Sequence, residues 1–200
     1  SNQNGQRRPT RAAVPDAVCA ELLDHGITPQ SGYGMTEACS HHYTLPDDPP
    51  ARITGTSGTA CSGYEVRVFA QDDPNREAAV NEIGQIGGRG SSLMLGYFED
   101  AAATAASFNN AGFFMTGDIG ALDADGYLRI TGRKKDVIIR GGHNIYPARI
   151  EALAMRHGAV ERAAAVPVPD ERLGERVCIA VTLRPDGDLE PHDLLTHLDS

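Results

Sequence analysis

Two hundred residues, 40% of them apolar, can fill a real core, as one large domain or two small ones. A net charge of −9, with no basic block longer than Arg133-Lys134-Lys135, argues against a nucleic-acid-binding surface. No apolar run approaches membrane-spanning length, so no integral membrane segment is expected, and without tryptophan the core must be aliphatic and alanine-rich.

In chain order, the polar stretch SNQNGQRRPT reads as structureless. Pro15 to Asp24 is a helix, with Val14, Val18, Leu22 and Leu23 on one face and Gly26 closing it. Gly32-Tyr33-Gly34-Met35-Thr36-Glu37 follows. Two glycines around a tyrosine let the backbone pass close to a ligand. The set suits a nucleotide: a ring for the base, a hydroxyl for a phosphate oxygen, a carboxylate for magnesium. By itself, the segment is as well explained by a tight turn. His41, His42 and Tyr43 read as a polar loop, since no carboxylate or cysteine stands at metal-ligand spacing. The Gly/Ser/Thr-rich run from Gly55 to Gly63 lacks the Lys-Ser/Thr ending of a phosphate loop and reads as a turn between strands.

Gly63 to Ala70 alternates cleanly and is a strand; Gly84 to Arg89 is a second one, weakened by glycine. Asp100 caps an alanine-rich helix running to Phe108. Thr116-Gly117-Asp118 comes next, with Asp118 read at a strand start. A carboxylate there can accept two hydroxyl hydrogen bonds, as a ribose diol offers, although a lone Asp more often serves a turn. Asp123 to Gly126 makes a hairpin turn into the strand Tyr127–Ile130.

The last third opens with Thr131-Gly-Arg-Lys-Lys-Asp136, a charged loop. Val137 to Ile139 and Asn144 to Tyr146 are short strands around the turn Gly141-Gly142. Pro147 starts a helix that runs to His157, ended by Gly158. Val160 to Val168 is apolar and closed by Pro167 and Pro169. Arg176 to Leu183 is a strand, and Pro191 to Leu198 a helix. The four cysteines at 19, 39, 61 and 178 form no Cys-x-x-Cys pair, so reduced thiols in a cytoplasmic protein are the expectation.

Gly132-Arg133, Lys135-Asp136, Gly141-Gly142, Asn144-Ile-Tyr-Pro and Ile150-Glu151 closely resemble the inter-domain hinge signature of the adenylate-forming enzymes. These comprise acyl-CoA synthetases, adenylation domains of peptide synthetases and beetle luciferases. Tyr33-Gly-Met-Thr-Glu37 and Thr116-Gly-Asp118 match two further signatures, in the family's order. The resemblance runs from about Pro15 onward, and the chain reads as a C-terminal piece of a longer enzyme. It implies a mixed α/β fold: a distorted β-barrel ending the large AMP-binding domain over residues 1–134, then a small, incomplete α+β lobe over 135–200, hinged at Lys135.

The resemblance also implies roles. Gly32, Tyr33, Gly34, Thr36, Asp118, Arg133, Gly141 and Gly142 would bind ATP, AMP or coenzyme A, with Asp118 on the ribose and Gly142 against the pantetheine arm. Glu37 would hold Mg2+. Thr36, Glu37 and Lys135 would act in catalysis. His41 and His42 would border the acyl pocket. The family's phosphate loop and catalytic lysine fall outside the sequence, so the chain alone is expected to make no acyl-AMP. Gly-Gly-His-Asn-Ile-Tyr-Pro looks most like an acid–thiol ligase joining a small carboxylic acid to CoA. An adenylation domain serving a carrier protein, or a non-catalytic nucleotide-binding module, is the alternative. The acid and the oligomeric state stay open.

Overall fold

The strands pair mostly with their neighbours in sequence, as short turns between alternating runs dictate. The computed structural model describes residues 16–199; the expectation for the polar N-terminal stretch lies outside them. Helix α1 (Asp16–Asp24) leads to β1 (Gly32–Met35) and β2 (Cys39–Tyr43), then α2 (Pro50–Gly55) and the short β3 (Thr59–Ala60). Next come β4 (Tyr64–Phe69), β5 (Gly84–Gly90), α3 (Ala101–Ala106), β6 (Phe114–Leu122) and β7 (Leu128–Arg133). A 3-10 turn at Lys134–Asp136 precedes β8 (Ile138–Arg140), β9 (His143–Ile145), α4 (Pro147–Ala154), β10 (Val160–Asp170), β11 (Gly174–Leu183) and α5 (Pro191–Leu198).

Three antiparallel sheets result, in the orders β1-β2-β3, β4-β5-β6-β7 and β10-β11-β8-β9. None of them closes, so the expected distorted barrel is not formed among the described residues. Closure would need β7 to bond β4. Instead, the Leu128 amide donates to the Gly58 carbonyl and the Ser57 amide to the Leu128 carbonyl, so β7 starts against the segment before β3. Strand β1 then lies on the second sheet: Tyr33, Ile86 and Leu128 form one buried cluster, with Val66 and Leu122 packed on it. A separate cluster, Ala154, Val160 and Leu194, holds α4 and α5 on the third sheet.

Several local expectations change with packing. Residues 39–43 are a strand, not a loop, and both histidines are buried. Residues 50–54, unassigned from sequence, and Gly55, read as the start of a turn, are helical, with Pro50 in the first turn. The glycines of β5 do not mark a weak strand. A Cβ at Gly90 would lie 2.3 Å from the Tyr64 ring and one at Gly87 2.7 Å from the Phe69 ring, so those residues make room for β4's aromatics. Pro167 and Pro169 do not end β10, which runs on to Asp170. It is an edge strand, where a missing N–H leaves no partner unsatisfied. The Asp100 side chain caps α3 as expected, accepting from the Ala103 amide at 2.8 Å. All four cysteines are free thiols.

Candidate active site

Asp118 lies within β6, not at a strand start. It sits on a bulge. Gln85 pairs with Ile119 and Gly87 with Met115, so β6 carries extra residues between those points. Gly117 takes φ +77°, the left-handed geometry that such a bulge needs. Thr116 fixes the kink: its hydroxyl donates to the Ile86 carbonyl at 3.0 Å and accepts from the Asp118 amide at 3.1 Å. Bulges re-aim side chains, and this one turns the Asp118 carboxylate toward β1 and β7.

Two donors meet that carboxylate. The Tyr33 hydroxyl donates to Oδ2 at 2.7 Å, across 85 residues of sequence. Arg133, its register partner on β7, places Nε 3.0 Å from Oδ1. Burial, and then the Asp118 charge, push the Tyr33 phenol far above its ordinary value, so it stays a donor. An ionised carboxylate has about four lone-pair sites. One on each oxygen is taken here, which leaves one on each for two further hydroxyls. The Asp118 side chain is 8% exposed and Arg133 is 43% exposed, so the pair runs from core to surface. Beside it, Thr116, Gly117, Arg133, Lys134 and Lys135 line a cleft of about 350 Å³. Three cations around one opening favour an anion such as a phosphate.

The other residues singled out from sequence lie apart from this cluster. Thr36 and Glu37 form the β1–β2 turn, closed by the Ala38 amide on the Met35 carbonyl. Glu37 accepts from the Tyr97 hydroxyl at 3.3 Å, and no ion pair among the described residues engages it. Its carboxylate therefore suits a hard cation whose remaining ligands come from phosphate and water. Among the described residues, no group of three or more His, Cys, Asp or Glu could cage a metal. Gly32 and Gly34 sit in β1, opposite Tyr43 and Ser40. Gly141 and Gly142 take φ +57° and +84° between β8 and β9, a two-residue turn of the mirror-image type. Lys135 is exposed in the 3-10 turn.

His41 and His42 were expected on a polar loop; both side chains are buried instead. His41 stacks on Tyr64 with centroids 4.5 Å apart and meets the Tyr33 ring edge-on at 4.8 Å. Their Nδ1 atoms are 3.2 Å apart, so one ring donates and the other accepts. Among the described residues, both Nε2 atoms lack a partner. Burial pulls His41 down to about 4, and burial with its neighbour's charge pulls His42 to about 3. Sequence reading also missed Gln71 and Gln85. The Gln71 amide contacts Asn144 and Tyr146 from beyond the 3-10 turn, and the Gln85 amide contacts Lys134 within it. Nothing in a local pattern marks a glutamine as a partner of residues dozens of positions away.

A buried carboxylate with free acceptor sites, set beside a basic cleft, is able to take a ligand that carries both hydroxyls and negative charge. The model of the AMP-binding enzyme family matches residues 10–98, and that of the AMP-binding enzyme C-terminal domain matches residues 149–200. The chain belongs to the adenylate-forming enzymes. It is 37% identical over 171 residues to the medium-chain fatty-acid–CoA ligase of Escherichia coli, covering 86% of this chain and 30% of that protein. It is 41% identical over 160 residues to the 2,3-dihydroxybenzoate-AMP ligase of Bacillus subtilis, covering 80% and 29%. ATP-bound MatB from Rhodopseudomonas palustris superposes with a TM-score of 0.88 at 31% identity, covering 94% of this chain and 37% of that one; the apo form of MatB gives 0.71. The chain spans about a third of the length of the curated relatives it matches. Among the described residues, no helix is long and apolar enough to cross a membrane.

Proposed function

We propose that the chain is part of an AMP-forming acid–thiol ligase. A small carboxylic acid attacks the α-phosphorus of ATP, giving acyl-AMP and pyrophosphate, and the thiol of CoA then takes the acyl group. The observation that carries this reading is the Asp118 carboxylate. It is held by Tyr33 and Arg133 at a basic cleft and keeps one acceptor site on each oxygen. It would accept the ribose hydroxyls, while Arg133 supports the same ribose or a phosphate. Magnesium held by Glu37 would neutralise charge on the transferring phosphate. Thr36 would donate to a phosphate oxygen from the same turn. The Gly142 turn, which carries no side chain, would let the pantetheine arm pass.

The second reading, transfer of an acyl group to a carrier protein or another acceptor, draws support from the AMP ligase relative and from an amide bond synthetase among similar structures. In either case we propose a boundary at Lys135, with residues 135–200 a mobile lobe that changes orientation between steps. Greater similarity to the ATP-bound than to the apo form of MatB supports assigning the present arrangement to the ATP-handling step. Acid-dependent exchange of pyrophosphate into ATP by the full-length polypeptide tests adenylation, and mass spectrometry with CoA tests the acceptor. Exchange without acyl-CoA would leave the carrier reading; no exchange with any acid in a broad panel would refute both.

A further inference from the structure

The connector between residues 133 and 137 gives the third sheet little anchorage. Lys134 and Lys135 are exposed, and the two buried clusters lie on opposite sides of it. Two glutamines of the second sheet's side supply what the connector lacks. Gln71, just past β4, uses its whole amide. Nε2 donates to the Ile83 carbonyl at 3.2 Å and to the Tyr146 hydroxyl at 2.7 Å, and Oε1 accepts from Asn144 Nδ2 at 2.9 Å. Tyr146 and Asn144 belong to β9 and the start of α4, beyond the connector.

Gln85 stands behind it. Its side chain, in a residue 6% exposed, donates from Nε2 to the carbonyls of Ala70 at 2.8 Å and Gln71 at 3.0 Å, which fixes the backbone that aims Gln71. Its Oε1 accepts from Lys134 Nζ at 3.0 Å. The donor and acceptor assignments agree throughout, since each amide nitrogen faces an acceptor and each amide oxygen a donor.

We propose that Gln71 and Gln85 form a latch that holds the C-terminal sheet in the present orientation, with Gln71 the positioning residue. The chemistry suits a latch. Beside the approach of α4 to β7, the contacts that Gln71 makes across the connector are side-chain hydrogen bonds at partly wet positions, and water can replace each of them. A neutral bond of that kind biases an equilibrium by about two- to tenfold. This holds one orientation without making it permanent. An apolar interface of the usual kind would not release so readily. In catalysis, and here the inference rests on the function proposed above, the latch would favour the ATP-handling arrangement and have to open before the thioester step.

Gln71→Ala and Tyr146→Phe test it, the second removing only a hydroxyl from the far side. Trypsin sites at Arg133, Lys134 and Lys135 report the connector directly and need no turnover. Both variants should be cut there about five times faster than wild type, at unchanged urea midpoint. Unchanged cleavage overturns the latch, whatever the protein's activity proves to be. In the full-length polypeptide, single-turnover pyrophosphate release should fall by a similar factor. Thioester formation from preformed acyl-AMP should hold or rise, and Gln71→Glu, which keeps the acceptor for Asn144 and can take a reversed bond from the Tyr146 hydroxyl, should restore part of the first step. Equal loss of both steps would make Gln71 merely structural. A wild type with no pyrophosphate release refutes the function and leaves the cleavage result to decide the latch.

Discussion

Removing the Asp118 carboxylate should cost stability in a way that identifies its partner. Asp118→Ala strips the buried Tyr33 hydroxyl of its acceptor at 2.7 Å. An orphaned buried hydroxyl costs about 1–3 kcal/mol. The Arg133 contact adds little, since that side chain is 43% exposed and returns to water; a pair of this kind is worth about 0–1 kcal/mol. The expected loss is therefore about 1–4 kcal/mol. Tyr33→Phe removes a hydrogen bond to a charged group, worth about 1.5–3 kcal/mol, with the ring's packing on Ile86 and Leu128 kept. In the double variant no hydroxyl is left stranded. Its loss should fall short of the sum of the single losses by about 1–2 kcal/mol. Urea unfolding of the four proteins gives that coupling. Additive losses, within about 0.5 kcal/mol, would refute the claim that the Tyr33–Asp118 bond is made and buried.

Three more outcomes are expected. Burial depresses both histidines, so the unfolded chain binds protons that the folded one refuses. Stability from the pair is whole above about pH 6.5 and falls as pH drops toward 4 and then 3, on the order of 2 kcal/mol per ring by pH 5. Urea midpoints at pH 7 and pH 5 should show the drop, shrunken in His42→Gln; an equal drop in that variant would point elsewhere. Gly142→Leu meets no atom within 4 Å but forces a side chain to φ +84°. A loss of about 1–2 kcal/mol should appear in urea unfolding. In the full-length polypeptide, acyl-CoA formation should fall much further than adenylation, and equal falls would count against a role for the turn in the thiol step. Lys135→Pro locks φ within the 3-10 turn and should spare one half-reaction while the other drops by orders of magnitude, with Lys135→Ala nearly normal. Proportional loss of both at unchanged circular dichroism would remove Lys135 as the pivot.

Much of the local structure was legible because it depends on near neighbours. Alternation marked β4, the Asp-Gly turn marked the β6–β7 hairpin, paired glycines marked the β8–β9 turn, and Asp100 marked the start of α3. The misses share a cause. His41 to Tyr43 read as a polar loop because they are polar and carry no metal-ligand spacing, but they belong to a strand. His41 is covered by the Tyr64 and Tyr33 rings and His42 by His41, and neither tyrosine is a sequence neighbour. The prolines of β10 read as terminators until the strand is known to lie at a sheet edge. The resemblance implied a barrel, but closure depends on what β7 bonds, and that partner lies some 70 residues upstream.

The sequence by itself determined the family, the turn chemistry and which residue types stand ready for a nucleotide, because each is written in a short contiguous motif. The tertiary structure alone decided how those residues meet. It placed the Tyr33 hydroxyl on a carboxylate 85 residues away, through the packing of β1 on the second sheet and a bulge in β6. It also brought two glutamines with no motif of their own together, Gln71 against the far side of the connector and Gln85 against Lys134 within it. Such pairings are fixed by sheet order and register, which arise from the whole chain's burial of apolar surface and leave no local trace.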